Sequence, residues 1–114
     1  MVIGENQKFA SAIISPNFNY LHNWAMLHGI DFRDNAELVQ NQTVINRYQR
    51  VVNEMNKVLG QTEQIKRFRL VWEEWTSITG ELSPTLKLRR KFLTQRYERL
   101  IEEIFSVQKY DIGE

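Results

Sequence analysis

The sequence predicts an α+β domain, a small sheet of about three strands packed with helices. Three observations carry this. Apolar, β-branched runs at residues 1–3 and 9–14 read as strands, and residues 65–72 read as a third. Between and after them the apolar residues recur at helical spacing. The order is therefore β-β-α-α-β-loop-α, which suits one small sheet with helices against it.

Each element has its own signal. The first two runs are parted by the polar, glycine-bearing "GENQK", as expected for a hairpin or two sheet strands. Ser15-Pro16 stops the sheet and Asn17 can cap a helix. Phe18, Leu21, Trp24, Ala25 and His28 follow at helical spacing, with Gly29 suited to the C-terminal end. Asp34 or Asn35 can start the next helix, with a break expected near Asn41. Val44, Ile45, Tyr48, Val51, Val52, Met55, Val58 and Leu59 form one apolar stripe ended by Gly60, opposite Arg47, Arg50, Glu54 and Lys57.

Next, Phe68, Leu70 and Trp72 alternate with Arg67, Arg69 and Val71, the period of a strand with one buried face. Trp72 and Trp75 read as core plugs. "EEWTSITGELSPT" is a loop with a very short strand at Glu81-Leu82. A last helix is expected over 88–105, with Phe92, Leu93, Tyr97, Leu100, Ile101, Ile104 and Phe105 as its stripe. Residues 107–114 read as a flexible tail.

The chain has 114 residues, enough for one domain, with 42% hydrophobic and 25% charged residues. Net charge is +1, so no global field draws nucleic acid, and the aromatics sit at core-facing periods rather than among basic residues. Without cysteine there is no disulfide or Cys-based zinc site, which agrees with a cytoplasmic protein, and peripheral membrane contact stays open. No apolar run reaches the length of a membrane span. "MVIGENQKF" does not have the layout of a signal peptide. His22 and His28, six apart on one helix, lack metal-ligand spacing, and no metal site is expected.

The stretch that asks for an explanation is "GELSPTLKLRRKF", residues 80–92. It gathers Lys87, Arg89, Arg90 and Lys91 where a helix should begin, although the helix dipole disfavours cations there. One reading is a solvated face. The other is a site for an anion, with Lys87 a mobile point charge suited to phosphate or carboxylate. Physical argument alone leaves both open. A buried Lys87 paired with Glu81 or Glu98 would instead mark a structural role.

"GELSPTLKLRRKFLTQRYERLIEEIF" resembles the end of long-chain acyl-CoA synthetases, members of the AMP-forming adenylating superfamily. "VIGENQKFASAIISPNFNYLHNWA" and "NEMNKVLGQTEQIKRFRLV" are similar to earlier segments of the same small domain. The resemblance covers residues 1–106 and implies the mobile C-terminal lid domain of a long-chain fatty-acid–CoA ligase, lacking its hinge. It implies a partner, the large N-terminal adenylating domain that holds ATP and Mg²⁺, with fatty acid and CoA as the other substrates. No cofactor is expected on this segment alone. The chain is then a piece of a longer enzyme.

The resemblance also implies a role for Lys87. The family's lysine reaches into the large domain during adenylation and contacts the fatty-acid carboxylate and the α-phosphate. The lid then rotates so that CoA attacks the acyl-adenylate. Many relatives place this lysine after glycine, as Ser-Gly-Lys; here it follows Leu86, as in the long-chain branch. Thr85, Arg89 and Arg90 are weaker candidates for substrate or phosphate binding. The rival reading is a stand-alone α+β module that binds an anionic partner through the 87–91 patch. The length of the parent reading frame separates the two.

Overall fold

The structure is a computed structural model that describes residues 1–5 and 7–106. The expected tail at 107–114 lies outside the described residues. The chain forms two compact units, Met1–Trp75 and Thr76–Glu114.

The first unit holds a three-stranded sheet in the order β1-β2-β3: β1 (Val2–Ile3), β2 (Ala10–Ile14) and β3 (Ile65–Leu70). β1 runs antiparallel to β2, with Val2 opposite Ala12 and Ile3 opposite Ser11. β2 and β3 are parallel, from Ala10 opposite Ile65 to Ile14 opposite Leu70, with an irregularity between Ala10 and Ser11. Parallel pairing demands a long crossover, and three helices fill it: α1 (Phe18–Leu27), α2 (Asn35–Gln40) and α3 (Gln42–Asn56). The three-stranded sheet with helices matches the α+β expectation, although three helices rather than two precede β3.

Side-chain caps set the helix starts. Asn17 accepts from the Tyr20 N–H (3.2 Å) and Asp34 from the Glu37 N–H (2.8 Å). Asn41 takes an extended backbone that ends α2, and its Oδ1 accepts from the Thr43 and Val44 N–H groups to start α3. One asparagine thus makes the break that the sequence places there. At the other end of α1, Gly29 takes φ 68°, the left-handed conformation that glycine adopts without penalty.

Burial divides into two clusters. Phe18, Leu21 and Ala25 of α1 meet Leu38, Val39 and Val44, with Trp24, Ile30, Phe32, Tyr48 and Leu70 around them. Val52 of α3 packs with Ala12 and Ile65 of the sheet, joined by Ile14 and Phe68. Burying a side chain such as Leu21 stabilises by about 1.5–3 kcal/mol. The α3 stripe is wider than the face that is covered, since Val51 and Met55 are exposed and Val58 lies beyond the helix end.

Trp72 departs from expectation: it is 56% exposed rather than a core plug. The alternation fails after Leu70. Val71 is itself buried, and its N–H donates to Ile14 O (2.9 Å), so the next side chain turns outward. Trp75 is half-buried, and its backbone N–H donates to Ser15 Oγ (3.1 Å).

In the second unit the expected single helix is two: α4 (Arg90–Arg96) and α5 (Glu98–Phe105), parted at the buried Tyr97 (φ −102°, ψ 23°). No proline or glycine signals this break. The helix also begins later than residue 88. Leu88 forms an antiparallel bridge with Leu82, and the Arg89 N–H donates to Glu81 O (2.9 Å), so these backbone groups are already committed. The bridge agrees with the short strand expected at Glu81-Leu82.

Candidate functional site

The "GELSPTLKLRR" segment folds as a closed turn followed by α4. At its base stand the Leu82–Leu88 bridge and the Arg89-to-Glu81 backbone bond. Inside it, the Ser83 N–H donates to Lys87 O (2.8 Å) and the Leu86 N–H to Ser83 O (2.8 Å). The Lys87 N–H donates back to Ser83 Oγ (3.2 Å). Both backbone groups of Lys87 are therefore held.

Its side chain is not. Lys87 is exposed, and its ammonium meets no acidic side chain among the described residues. Glu81, a conceivable partner, is bound elsewhere. The arrangement is a fixed backbone carrying a free cation, which can meet an anion brought to it from outside. A Lys ammonium of this kind acts as a point charge on a flexible stem.

The preceding residue explains how the turn closes. Leu86 has φ 64°, the one positive value recorded for a non-glycine residue among the described residues, and its side chain is 69% exposed. A leucine in this region costs about 1–2 kcal/mol relative to ordinary backbone, and glycine costs none of it. The position thus keeps a glycine-type backbone even though the residue is leucine.

The other candidates are placed as follows. Thr85 is exposed on the turn, its hydroxyl 3.1 Å from Ser83 Oγ. Arg89 donates from Nη1 to Gly80 O (3.1 Å), and its guanidinium lies 5.4 Å from the Phe92 ring centre, a cation–π geometry. Gly80 itself takes φ 96°, and a Cβ there would meet Phe92 Cζ at an ordinary 3.4 Å, so it is the backbone rather than space that favours glycine. Arg89, Arg90, Lys91, Phe92 and Gln95 line an open depression of about 390 Å³. Arg90 and Lys91 occupy the first turn of α4, and Arg89 precedes it without a side-chain cap. The structure thus gathers Arg89 and Arg90 on one depression but not Thr85 or Lys87, which do not line it.

Sequence reasoning missed the support beneath this turn. Glu81 is 1% exposed. Its Oε1 accepts from the Thr76 N–H (3.0 Å) and the Thr79 hydroxyl, and its Oε2 pairs with Arg96 Nη1. Burial alone would push the carboxyl's pKa up. The bonds from Thr79, Thr76 and Arg96 more than offset that and hold it below the ordinary 4.5. The one available signal was an acidic residue inside an otherwise turn-forming stretch, with an arginine beside a buried stripe position. The partner fifteen residues on could not be read from spacing.

The two histidines are structurally engaged. His22 Nε2 is 2.7 Å from Asn35 Oδ1 with its ring stacked on Phe32, and His28 stacks on Trp24. Among the described residues no three His, Asp or Glu side chains gather to hold a metal ion. No helix among them is long and apolar enough to cross a membrane.

Comparison with known proteins shows what the chain is similar to. The chain is 32% identical over 106 residues to a protein of Mycobacterium tuberculosis named as a fatty-acid–CoA ligase, FadD11, matching 93% of this chain and 18% of that protein. It is 25% identical over 107 residues to the long-chain-fatty-acid–CoA ligase FadD15 of the same species, again 93% of this chain and 18% of the relative. A third match, 27% over 71 residues, is to the Drosophila melanogaster long-chain-fatty-acid–CoA ligase heimdall, covering 61% of this chain and 10% of the relative. No family model matches, and no solved structure matches.

An α+β chain with a basic turn is thus similar, along nearly its whole length, to part of proteins named as ligases. In particular, the relatives it matches are named as fatty-acid–CoA ligases, and the chain is similar to a part of each. It spans 18% of the length of the first relatives it matches.

Proposed function

We propose that this chain is the mobile C-terminal lid of an AMP-forming long-chain fatty-acid–CoA ligase, with residues 1–106 as the lid domain, and that Lys87 is its catalytic lysine. The whole enzyme would convert fatty acid, ATP and CoA to acyl-CoA, AMP and pyrophosphate through an acyl-adenylate. The observation that carries this reading is the free Lys87 side chain on a doubly held backbone, inside the segment that resembles the family's lysine motif. The match over 93% of the chain to proteins named as ligases supports it over a stand-alone anion-binding module.

In this reading Lys87 serves the first half-reaction. Its ammonium contacts the fatty-acid carboxylate and the α-phosphate, and offsets the negative charge that builds as carboxylate attacks phosphorus. Mg²⁺, when bound, supplies charge compensation for the departing pyrophosphate. ATP and the ion are held by the N-terminal adenylating domain, not by this segment. A hinge rotation then withdraws Lys87 and turns another face to the site so that CoA attacks the acyl-adenylate. Arg89 and Arg90, on the depression at the start of α4, and Thr85, on the exposed turn, are offered as anion-contacting groups. A cytoplasmic enzyme, in peripheral contact with membrane or not, accords with this chemistry.

The test is fatty-acid-dependent ATP–pyrophosphate exchange. The 114-residue chain alone is expected to give none, and the complete ligase is expected to lose exchange when Lys87 is replaced by alanine. Exchange catalysed by the chain alone would overturn the lid assignment.

A further inference from the structure

Glu81 is buried, ionisable and absent from the proposed chemistry, yet it sits at the base of the turn that carries Lys87. Its side chain draws together three points of the second unit: the Thr76 backbone N–H, the Thr79 hydroxyl and the Arg96 guanidinium on α4. Its own carbonyl accepts the Arg89 N–H, one residue from the Leu82–Leu88 bridge that closes the turn. The same residue therefore grips the stretch before the turn, the strand-like base of the turn and the helix after it.

The sequence neighbours fit this arrangement. Thr76 and Thr79 hydroxyls lie 2.7 Å apart, and the Thr79 N–H donates to Thr76 Oγ1 (3.1 Å), so the two threonines that donate to the carboxylate also hold each other. The Leu82 N–H donates to Thr76 O (3.2 Å), tying the same two strands of chain by the backbone. Arg96 lies 5.5 Å from the Tyr97 ring centre, at the junction of α4 and α5. Glu81 is the buried member of the pair and Arg96 is a third exposed, so it is the carboxylate that would be left uncompensated if its donors were removed.

We propose that Glu81, paired with Arg96 and Thr79, is a positioning residue that fixes the direction in which the 83–88 turn presents Lys87. The proposal rests on the lid reading for its catalytic consequence, but not for its structural one. A lysine on a flexible stem reaches a transition state repeatedly only if its backbone is fixed, because small misplacement of a positioned group lowers rate steeply.

The experiment has two arms. In the 114-residue chain, amide hydrogen exchange is measured at Ser83, Leu86 and Arg89, against Ile13 in the sheet, for Glu81→Gln and for the milder Thr79→Val. Faster exchange by tenfold or more at the three turn amides, with Ile13 unchanged, supports the latch. Unchanged turn amides overturn it. If all amides quicken together in both variants, Glu81 is a general determinant of folding and the positioning role fails. In the complete ligase, Thr79→Val is expected to lower kcat for adenylation about tenfold with little change in KM for ATP and none in thioester formation from preformed acyl-adenylate. If Lys87→Ala is without effect on adenylation while the turn amides quicken, the lid reading has failed and the latch stands. If Lys87→Ala abolishes adenylation and Thr79→Val does nothing to rate or exchange, the latch has failed and the lid reading stands.

Discussion

Ser83 and Lys87 hold each other through two hydrogen bonds: the Ser83 N–H donates to the Lys87 carbonyl at 2.8 Å, and the Lys87 N–H returns a bond to the Ser83 hydroxyl at 3.2 Å. The pair closes a turn whose outer side carries the lysine ammonium into solvent. Reach and fixity are thus separated within one residue, its backbone belonging to the turn and its side chain to whatever approaches.

On the proposed lid reading, Lys87→Ala in the complete ligase should cripple adenylation far more than thioester formation. Losing one such electrostatic contact costs on the order of 3–4 kcal/mol, or about 10²–10³ in rate. Supplying preformed acyl-adenylate and CoA should bypass the defect, and Lys87→Arg should restore it only in part, since a planar fork replaces a compact ammonium. The two half-reactions are measured separately. Equal losses in both would assign Lys87 to folding or domain docking.

Leu86 should accept glycine and refuse proline. With φ at 64°, Leu86→Gly removes a backbone cost of about 1–2 kcal/mol and adds about 0.5–1 kcal/mol of unfolded-state entropy. Thermal denaturation should show a variant as stable as the parent or slightly more so. Proline fixes φ near −65° and deletes the Leu86-to-Ser83 bond, so Leu86→Pro should open the turn and reduce adenylation as severely as Lys87→Ala. A Leu86→Pro ligase with full activity would show that the turn does not matter.

Acid should loosen the Lys87 turn. The folded carboxyl of Glu81 has a pKa below its ordinary 4.5, so the folded state holds fewer protons there than the unfolded state. Its contribution is fully present above about 4.5 and is lost as pH falls through the lower folded value. Exchange at the Arg89 amide, corrected for intrinsic rate, should therefore quicken in that acid window, and Glu81→Gln should abolish this pH dependence.

Asn56 should prove the joint between α3 and β3. Its amide donates to Ile65 O (2.9 Å) and accepts from the Ile65 N–H (2.8 Å), serving both backbone groups of the first residue of the strand. Asn56→Ala leaves that half-buried pair unserved and should cost about 1–3 kcal/mol in chemical denaturation, whereas Asn53→Ala on the exposed side of the same helix should change little.

Much of the fold was legible because local chemistry wrote it. Asn17, Asp34 and Asn41 each cap the helix they precede, and Gly29 takes the positive φ its position demands. The candidate lysine was legible from its motif. What was not legible depends on partners distant in sequence or on a change of face. Trp72 turns outward because Val71 buries itself after Leu70, and periodicity read one residue at a time cannot register that switch. The break at Tyr97 has no sequence breaker, and the Glu81–Arg96 pairing crosses fifteen residues that spacing alone does not connect.

The parallel pairing of β2 with β3 orders events in time. Ala10 must wait for Ile65, with three helices between them, before the central strand gains its second neighbour. Non-local closure of this kind is slow compared with forming a helix, so the sheet is expected to close after the helices have formed. Until Ile65–Leu70 arrives, Ala10–Ile14 is an apolar strand with one side unpaired. A nascent or truncated chain ending before Ile65 therefore carries a sticky edge, whereas the finished strand β3 brings Lys66, Arg67 and Arg69 to the sheet's outer margin, charges of the kind that discourage further strand addition.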